Sequence, residues 1–181
     1  DGKFILISII QKPFSYLVPY YRFPMEYAIY SSKGKELTVL HEVPLIEDLP
    51  KGFMAVRTGP RNFSWRSDKP SNLIFVEALD GGNPETNAKY RDEIFEVRYP
   101  FKQNKVSLLK TINRFYKIDW CNDTLALGYD YWWNTRNTKT YIFSPANPNK
   151  ETQIIIDRNY QDRYNDPGSF VKRRNFYGKS I

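Results

Sequence analysis

Residues with the types and spacing needed for nucleophilic catalysis are sparse in this sequence. A catalytic serine often stands in a Gly-x-Ser-x-Gly turn, and serines near glycine, such as Ser169 and Ser180, lack that spacing. The one histidine, His41, lies in an alternating apolar segment that predicts a strand, so packing is its simplest role. We therefore predict no catalytic residue in the chain.

Metal-binding patterns are equally weak. Cys121 is the one cysteine, so no Cys/His cluster suits zinc. The Gly-rich segment 80–85 lacks the full calcium-loop pattern and is interpreted as a turn. Two pairs of carboxylates have no spacing typical of acid–base catalysis and are interpreted as solvated turn residues: Asp92 with Glu93, and Asp157 with Asp162. We predict neither a metal nor a cofactor.

Charge and aromatic content limit the classes of partner that the chain could bind. The 181 residues carry a net charge of +7, and 17% are aromatic. Tyr129–Trp133 with Arg136 could stack bases or hold a peptide, although alternate rings facing a core is the simpler interpretation. Binding of nucleic acid stays a minor hypothesis, and we predict no nucleic-acid partner. No stretch approaches the roughly 18 apolar residues of a membrane helix, so no membrane span is predicted.

The elements that would position these residues are predicted to be strands. Apolar alternation recurs along the chain, turn residues separate the segments, and no helical period is evident. Phe63–Asp68 aligns with Ile118–Asp123, and each is followed by three further strands. A four-stranded repeat of roughly 45 to 50 residues is typical of a β-propeller blade.

We accordingly predict an all-β fold, a partial β-propeller of four-stranded antiparallel blades, with about two full blades and a partial blade at each end. A β-sandwich is the alternative. Because a ring needs at least about four blades, missing residues, another chain or self-association would have to complete it. The chain is predicted to be a single propeller fragment, 1–181, divided into a partial blade 1–45, blades 61–112 and 115–158, and a loop with the start of the next blade, 159–181.

Several segments resemble, in the same order, the propeller of glutamyl endopeptidase-like members of the prolyl oligopeptidase family of serine peptidases. The resemblance runs through nearly the whole chain. The segments that carry it are Lys12–Tyr16, Arg22–Pro24, Val56–Arg66, Glu77–Gly82, Trp132–Arg136 and Asp162–Ser169.

This resemblance implies a parent enzyme with an N-terminal propeller over a C-terminal α/β-hydrolase domain. That domain is not present in this sequence, and it holds the family's catalytic Ser, Asp and His. The implied task of the segment is to gate peptide access to the hydrolase domain. A positive lining would favour acidic substrates, and five arginines are candidates for binding them: Arg57, Arg61, Arg136, Arg163 and Arg173.

The expected partners are a peptide substrate in the parent enzyme, and the parent's own hydrolase domain or a second chain that completes the propeller. The resemblance implies a periplasmic or secreted protein of the bacterial envelope, with the plastid stroma as the alternative. The alternative function is a stand-alone propeller-like module that binds a protein or peptide without catalysis. More blades and then a Gly-x-Ser-x-Gly turn after Ile181 would favour the peptidase.

Overall fold

The computed structural model describes residues 2–102 and 104–181, and its strands form three antiparallel sheets in chain order. The first sheet has three strands in the order β1-β2-β3. A loop with a short 3-10 helix, Tyr20–Arg22, joins β1 to β2, and a tight turn joins β2 to β3. The strands are β1 Phe4–Ile10, β2 Met25–Ser31 and β3 Glu36–Val43.

The other two sheets each have four strands that follow one another in space as they do in sequence. Short connections between consecutive antiparallel strands give this up-and-down order. The middle sheet contains β4 Arg61–Trp65, β5 Asn72–Ala78, β6 Asp92–Arg98 and β7 Val106–Thr111. The third sheet contains β8 Arg114–Asn122, β9 Leu125–Trp132, β10 Asn137–Phe143 and β11 Gln153–Asn159.

Two apolar cores separate the three sheets. On β5, Leu73 and Phe75 pack towards the first sheet, whereas Ile74 and Val76 pack towards the third. Because successive strand residues point to opposite faces, a strand buried on both sides reads as a continuous apolar run. Trp120 of β8 is buried in the core between the middle and third sheets, as the aligned repeats predict.

The outward faces of the two flanking sheets remain partly apolar and exposed. The first sheet exposes Ile5, Ile9, Leu37 and Val39, and the third exposes Tyr116, Leu125 and Ile155. Exposed apolar clusters of this kind commonly mark surfaces that another element covers. These faces therefore suit continued stacking of sheets on both sides.

The predicted strands and the all-β class are confirmed. The sequence segments assigned to the two full units correspond to the middle and third sheets, and the first unit has three strands. After Asn159 the described chain contains one isolated antiparallel bridge, between Arg174 and Ser180. Backbone hydrogen bonds between Arg173 and Ile181 extend that bridge into a small hairpin. The assignment of 159–181 to a further blade stays a prediction.

Gly128 in β9 gives a direct test of how closely the middle and third sheets approach. A Cβ atom at this position would lie 2.3 Å from Cδ2 of Leu109 on β7. We expect Gly128→Val to lower the free energy of unfolding by about 1–3 kcal/mol through overpacking. Denaturant titration would measure the loss, and adding Leu109→Ala should recover part of it. Independent, additive losses would contradict this packing.

Candidate functional site

A cavity of about 670 Å³ opens at one end of the first and middle sheets, and we call it the cleft. Its lining comes from the end of β3, from the long connection between β3 and β4, and from the turn after β5. Prolines at 44 and 50 keep that connection out of a strand ladder, because proline has no backbone N–H to donate. The lining residues used below are His41, Glu47, Asp48, Arg57 and Gly59.

Close backbone contacts hold the walls of the cleft in place. The Val56 N–H donates to the Gly82 carbonyl at 3.1 Å. Gly82 has φ +76°, and a Cβ there would lie 1.9 Å from the Val56 oxygen, so only glycine fits. On the other wall, the Ile46 N–H donates to the Arg22 carbonyl at 2.9 Å. The cleft is therefore a built feature of the fold.

His41 is the side chain in the cleft whose ordinary pKa lies nearest to pH 7. Burial lowers the pKa of His41 below its ordinary value of 6.5, and the positive charge of Arg57 lowers it further. Gly59, at φ +74°, lies beside the ring, since a Cβ there would be 3.4 Å from Nε2 of His41. The imidazole is consequently neutral at pH 7, and the positive charge on this side of the cleft comes from Arg57.

The titration of His41 can be read directly, because the sequence has one histidine. We expect the midpoint of its ring-proton NMR shift to lie below 6.5. Arg57→Gln should raise that midpoint, since it removes a nearby positive charge, but burial should keep it below the ordinary value. Lys51→Gln, a change at an exposed site, serves as the control. A wild-type midpoint at or above 6.5 would refute this electrostatic description.

Arg57 is half-buried, and its own loop holds its guanidinium. Nη1 donates to the Thr58 carbonyl at 3.1 Å, and Nη2 donates to the Pro60 carbonyl. Burial lowers the pKa of Arg57 from its ordinary value, yet an arginine stays charged in proteins. Tyr27 forms a further side-chain hydrogen bond with Arg57, so the side chain presents a fixed positive charge at the cleft.

A buried ion-pair network supports this end of the sheets. Arg114 at the start of β8 contacts Asp80 and Asp92 through Nη1, at 2.8 and 3.0 Å, and donates from Nε to the Met54 carbonyl at 2.8 Å. Arg61 pairs with the same Asp92 at 2.6 Å. The network joins the β3–β4 connection, the middle sheet and the third sheet, which fixes the walls around the cleft.

The network corrects one interpretation made from the sequence. Asp92 is not a solvated turn residue, because its side chain is completely buried in β6 between two arginines. Such a carboxylate needs paired positive charge, since an isolated buried charge is strongly disfavoured. The turn interpretation of segment 80–85 agrees with the structure, in which the Asp80 carboxylate accepts a hydrogen bond from the Gly82 N–H.

The structure disperses the five candidate arginines. Arg57 lines the cleft. Arg61 begins β4 and is buried against Asp92. Arg136 lies over the Trp133 ring at 3.8 Å in the β9–β10 turn, Arg163 is exposed after β11, and Arg173 lines a separate cavity of about 360 Å³. One of the five therefore contributes to the cleft lining.

His41 is the cleft residue that sequence reasoning assigned to packing alone. A usable signal was its position two residues before the end of a strand that runs into a proline-bracketed segment. Among residues 2–102 and 104–181, no group of three His, Cys, Asp or Glu side chains could hold a metal ion. Within that same part of the chain, no helix has the length and apolarity to cross a membrane.

Comparison with known proteins gives two relatives. The chain is 37% identical over 183 aligned residues to the "Probable glutamyl endopeptidase, chloroplastic" of Oryza sativa subsp. japonica. It is equally identical, over the same length, to the protein of that name from Arabidopsis thaliana. The chain resembles a segment of a glutamyl endopeptidase.

The similarity covers all of this chain, but the chain spans only about a fifth of each relative, 20% and 19%. The glutamyl endopeptidase resemblance predicted from the sequence is therefore confirmed for the chain as a segment. No protein-family model matches the chain. No solved structure matches it significantly.

Proposed function

We propose that this chain is the non-catalytic propeller segment of a serine peptidase of the prolyl oligopeptidase family, where it gates peptide access to a hydrolase domain. The similarity of the whole chain to a fifth of two probable glutamyl endopeptidases carries the proposal. In such a parent the hydrolase domain supplies acyl transfer, with a serine attacking the peptide carbonyl and a histidine moving the proton.

Sheet geometry supports the propeller part of the proposal. Three up-and-down sheets stack face to face in chain order, with one apolar core between each neighbouring pair. Both flanking sheets present exposed apolar side chains on their outward faces, among them Ile5 and Tyr116. Further sheets would bury these faces, as successive blades do in a propeller.

The cleft gives the proposal a contact point for substrate. Arg57 is the candidate arginine that lines it, and its loop carbonyls fix the guanidinium. A carboxylate side chain of a peptide would form a charge-assisted hydrogen bond with the guanidinium. Glu47 and Asp48 also line the cleft, so the acceptance of acidic residues is local to Arg57 and not a property of the whole lining.

Arg57→Gln in the full-length parent tests this role. A lost charge-assisted hydrogen bond is worth about 1.5–3 kcal/mol, so kcat/KM for a glutamate-containing peptide should fall about tenfold to hundredfold. For the matching glutamine peptide, kcat/KM should be the same for the variant and the wild type. Equal losses on the two peptides would mean that Arg57 does not recognise the carboxylate.

For the compartment, the two relatives are named chloroplastic. That name fits the plastid alternative and does not fit the bacterial envelope expectation. We therefore propose the plastid stroma as the site of the parent protein. Fractionation of the native tissue or cells, with an antibody against this segment, would test the proposal.

Covalent labelling tests the division of labour between the segment and the rest of the parent. A fluorophosphonate probe should label one serine of the full-length parent outside these 181 residues and leave the isolated chain unlabelled. Labelling of a serine within the chain would contradict the proposal, as would an active parent that the probe leaves unmodified.

Gating is tested separately by substrate size. The parent should cleave short peptides and the unfolded form of a protein substrate, and it should cleave the folded form of that protein at least tenfold more slowly. The same substrate in both forms provides the control. Equal rates on the two forms, under conditions where the folded form stays folded, would rule out gating.

A further inference from the structure

The connection between β1 and β2, residues 11–24, holds large apolar side chains in solvent, and we call it the aromatic loop. Its exposed fractions are 59% for Phe14, 109% for Tyr16, 84% for Leu17, 67% for Tyr20 and 63% for Tyr21. Isolated apolar side chains are common on protein surfaces, whereas a cluster of five within eight residues indicates a contact surface.

Hydrogen bonds hold the aromatic loop in its shape. At its base the Gln11 N–H donates to the Pro24 carbonyl at 2.8 Å. The Leu17 N–H donates to Oγ of Ser15 at 3.1 Å. In the 3-10 turn, the Arg22 backbone N–H donates to the Pro19 carbonyl at 2.9 Å. The apolar groups are therefore presented by a formed loop.

The aromatic loop stands beside the cleft. A second cavity, of about 540 Å³, lies at the base of the loop and is lined by Pro13 and Pro24. It shares Val43, Pro44 and Leu45 with the lining of the cleft. The base of the aromatic loop therefore adjoins the cleft, and a domain that packs on the loop would lie next to it.

We propose that the aromatic loop is the docking surface for the domain of the same polypeptide that carries the catalytic residues, an inference that rests on the proposed function. The matched relatives are about five times as long as this chain, which leaves ample polypeptide to form that domain. The chain itself has no Gly-x-Ser-x-Gly turn. A domain bound here would face the cleft, as a gated peptidase requires.

The shape of the loop favours a folded domain over a peptide as the occupant. Peptides are bound mainly in grooves or along free strand edges, but the side chains of Tyr16, Leu17 and Tyr20 protrude from the surface. Protruding aromatic side chains suit a preformed apolar hollow in a partner surface, where tyrosine and phenylalanine are enriched. Peptide capture by the loop is accordingly an outcome that the test below would detect.

Site-specific cross-linking in the full-length parent tests the proposal. A photoreactive p-benzoylphenylalanine replaces Tyr16 in one variant and Tyr99 in another. Tyr99 is 63% exposed and follows β6, at the end of the middle sheet opposite to the cleft. Irradiation of the Tyr16 variant should yield cross-links to the region that holds the probe-labelled serine, and the Tyr99 variant should yield none.

Cross-links from position 16 to a substrate peptide, to a second copy or to neighbouring sheets alone would overturn the docking proposal, as would no cross-link. Its failure is distinct from failure of the proposed function, because fluorophosphonate labelling and peptide cleavage are measured on the unmodified parent. A parent that is labelled and active, without the position 16 cross-link, would retain the proposed function and lose this surface.

Polar substitution gives a second readout. Leu17→Ser with Tyr20→Ser changes two exposed side chains, so the sheets should stay folded and circular dichroism should be unchanged. We expect kcat/KM on a short peptide to fall at least tenfold, and tryptic cleavage of the chain between the domains to become faster. Phe176→Ser is the control, because Phe176 is 97% exposed and its neighbour Asn175 bonds to Ser67, at the end of the sheets opposite to the cleft. Unchanged activity and proteolysis in the loop variant would contradict docking at this surface.

Discussion

Replacing Arg114 by alanine is expected to lower the free energy of unfolding by about 3–5 kcal/mol, the usual cost of breaking a buried ion pair from one side. The guanidinium pairs with Asp80 and Asp92, whose side chains are both buried. Without Arg114, Asp80 would keep Arg91 as its partner and Asp92 would keep Arg61. Each carboxylate would then lose a neutralising charge that it cannot replace with water.

Denaturant titration of the purified variant would measure this loss. Lys110→Ala is the matched control, because Lys110 pairs with Glu93 at 3.7 Å and is half exposed. Exposed pairs contribute about 0–1 kcal/mol, so the control should remain near wild type. An Arg114→Ala loss as small as that of the control would mean that the network does not hold the cleft end together.

Replacing Glu96 by alanine is the second change with a large expected effect, again about 3–5 kcal/mol at pH 7. Glu96 is completely buried at the opposite end of the middle sheet. Its carboxylate pairs with Arg66 at 2.7 Å, accepts from Asn72 at 2.5 Å and pairs with Arg98 at 2.8 Å. The guanidinium of Arg66, which stacks on Trp120, would then lose its most buried negatively charged partner.

The pH dependence of this effect has a defined sign. Burial acts to raise the pKa of Glu96, but hydrogen bonds from Asn72, Arg98 and Arg66 outweigh burial and hold it below its ordinary value of 4.5. A carboxyl with a depressed pKa in the folded state stabilises the fold above its unfolded pKa. That stabilisation is lost as the pH falls through the folded pKa.

The difference in the free energy of unfolding between wild type and Glu96→Gln should therefore be constant near neutral pH and should become smaller below pH 4.5. Denaturant titrations at several pH values would measure it. Glu151→Gln, at an exposed position, should change stability by less than about 0.5 kcal/mol throughout. A gap that widens on acidification would contradict the depressed pKa of Glu96.

Strand positions were largely predictable because their signals are local. The centre of β5, Leu73–Val76, is apolar on both faces, as a strand between two cores must be. The aligned tryptophans, Trp65 and Trp120, both pack into cores between sheets. Turn residues such as Asp80 and Gly82 marked the strand ends correctly.

Long-range pairing was not predictable from one sequence. Arg114 meets Asp80 and Asp92 across 34 and 22 residues, and no periodicity encodes such distances. For the same reason, local sequence patterns predict a solvated Asp92 and a packed His41, whereas the structure buries Asp92 and places His41 in the cleft wall. The cleft depends on a connection that folds back over the first sheet, and local propensity does not report that path.

The most direct test of the account is a cryo-electron microscopy structure of the full-length parent. We predict further four-stranded sheets packed on the outward faces of the first and third sheets, over Ile5 and Tyr116, arranged around one axis, with the hydrolase domain at the cleft end. Helices on those faces, faces open to solvent, or the first and third sheets closed on each other as a sandwich would contradict it.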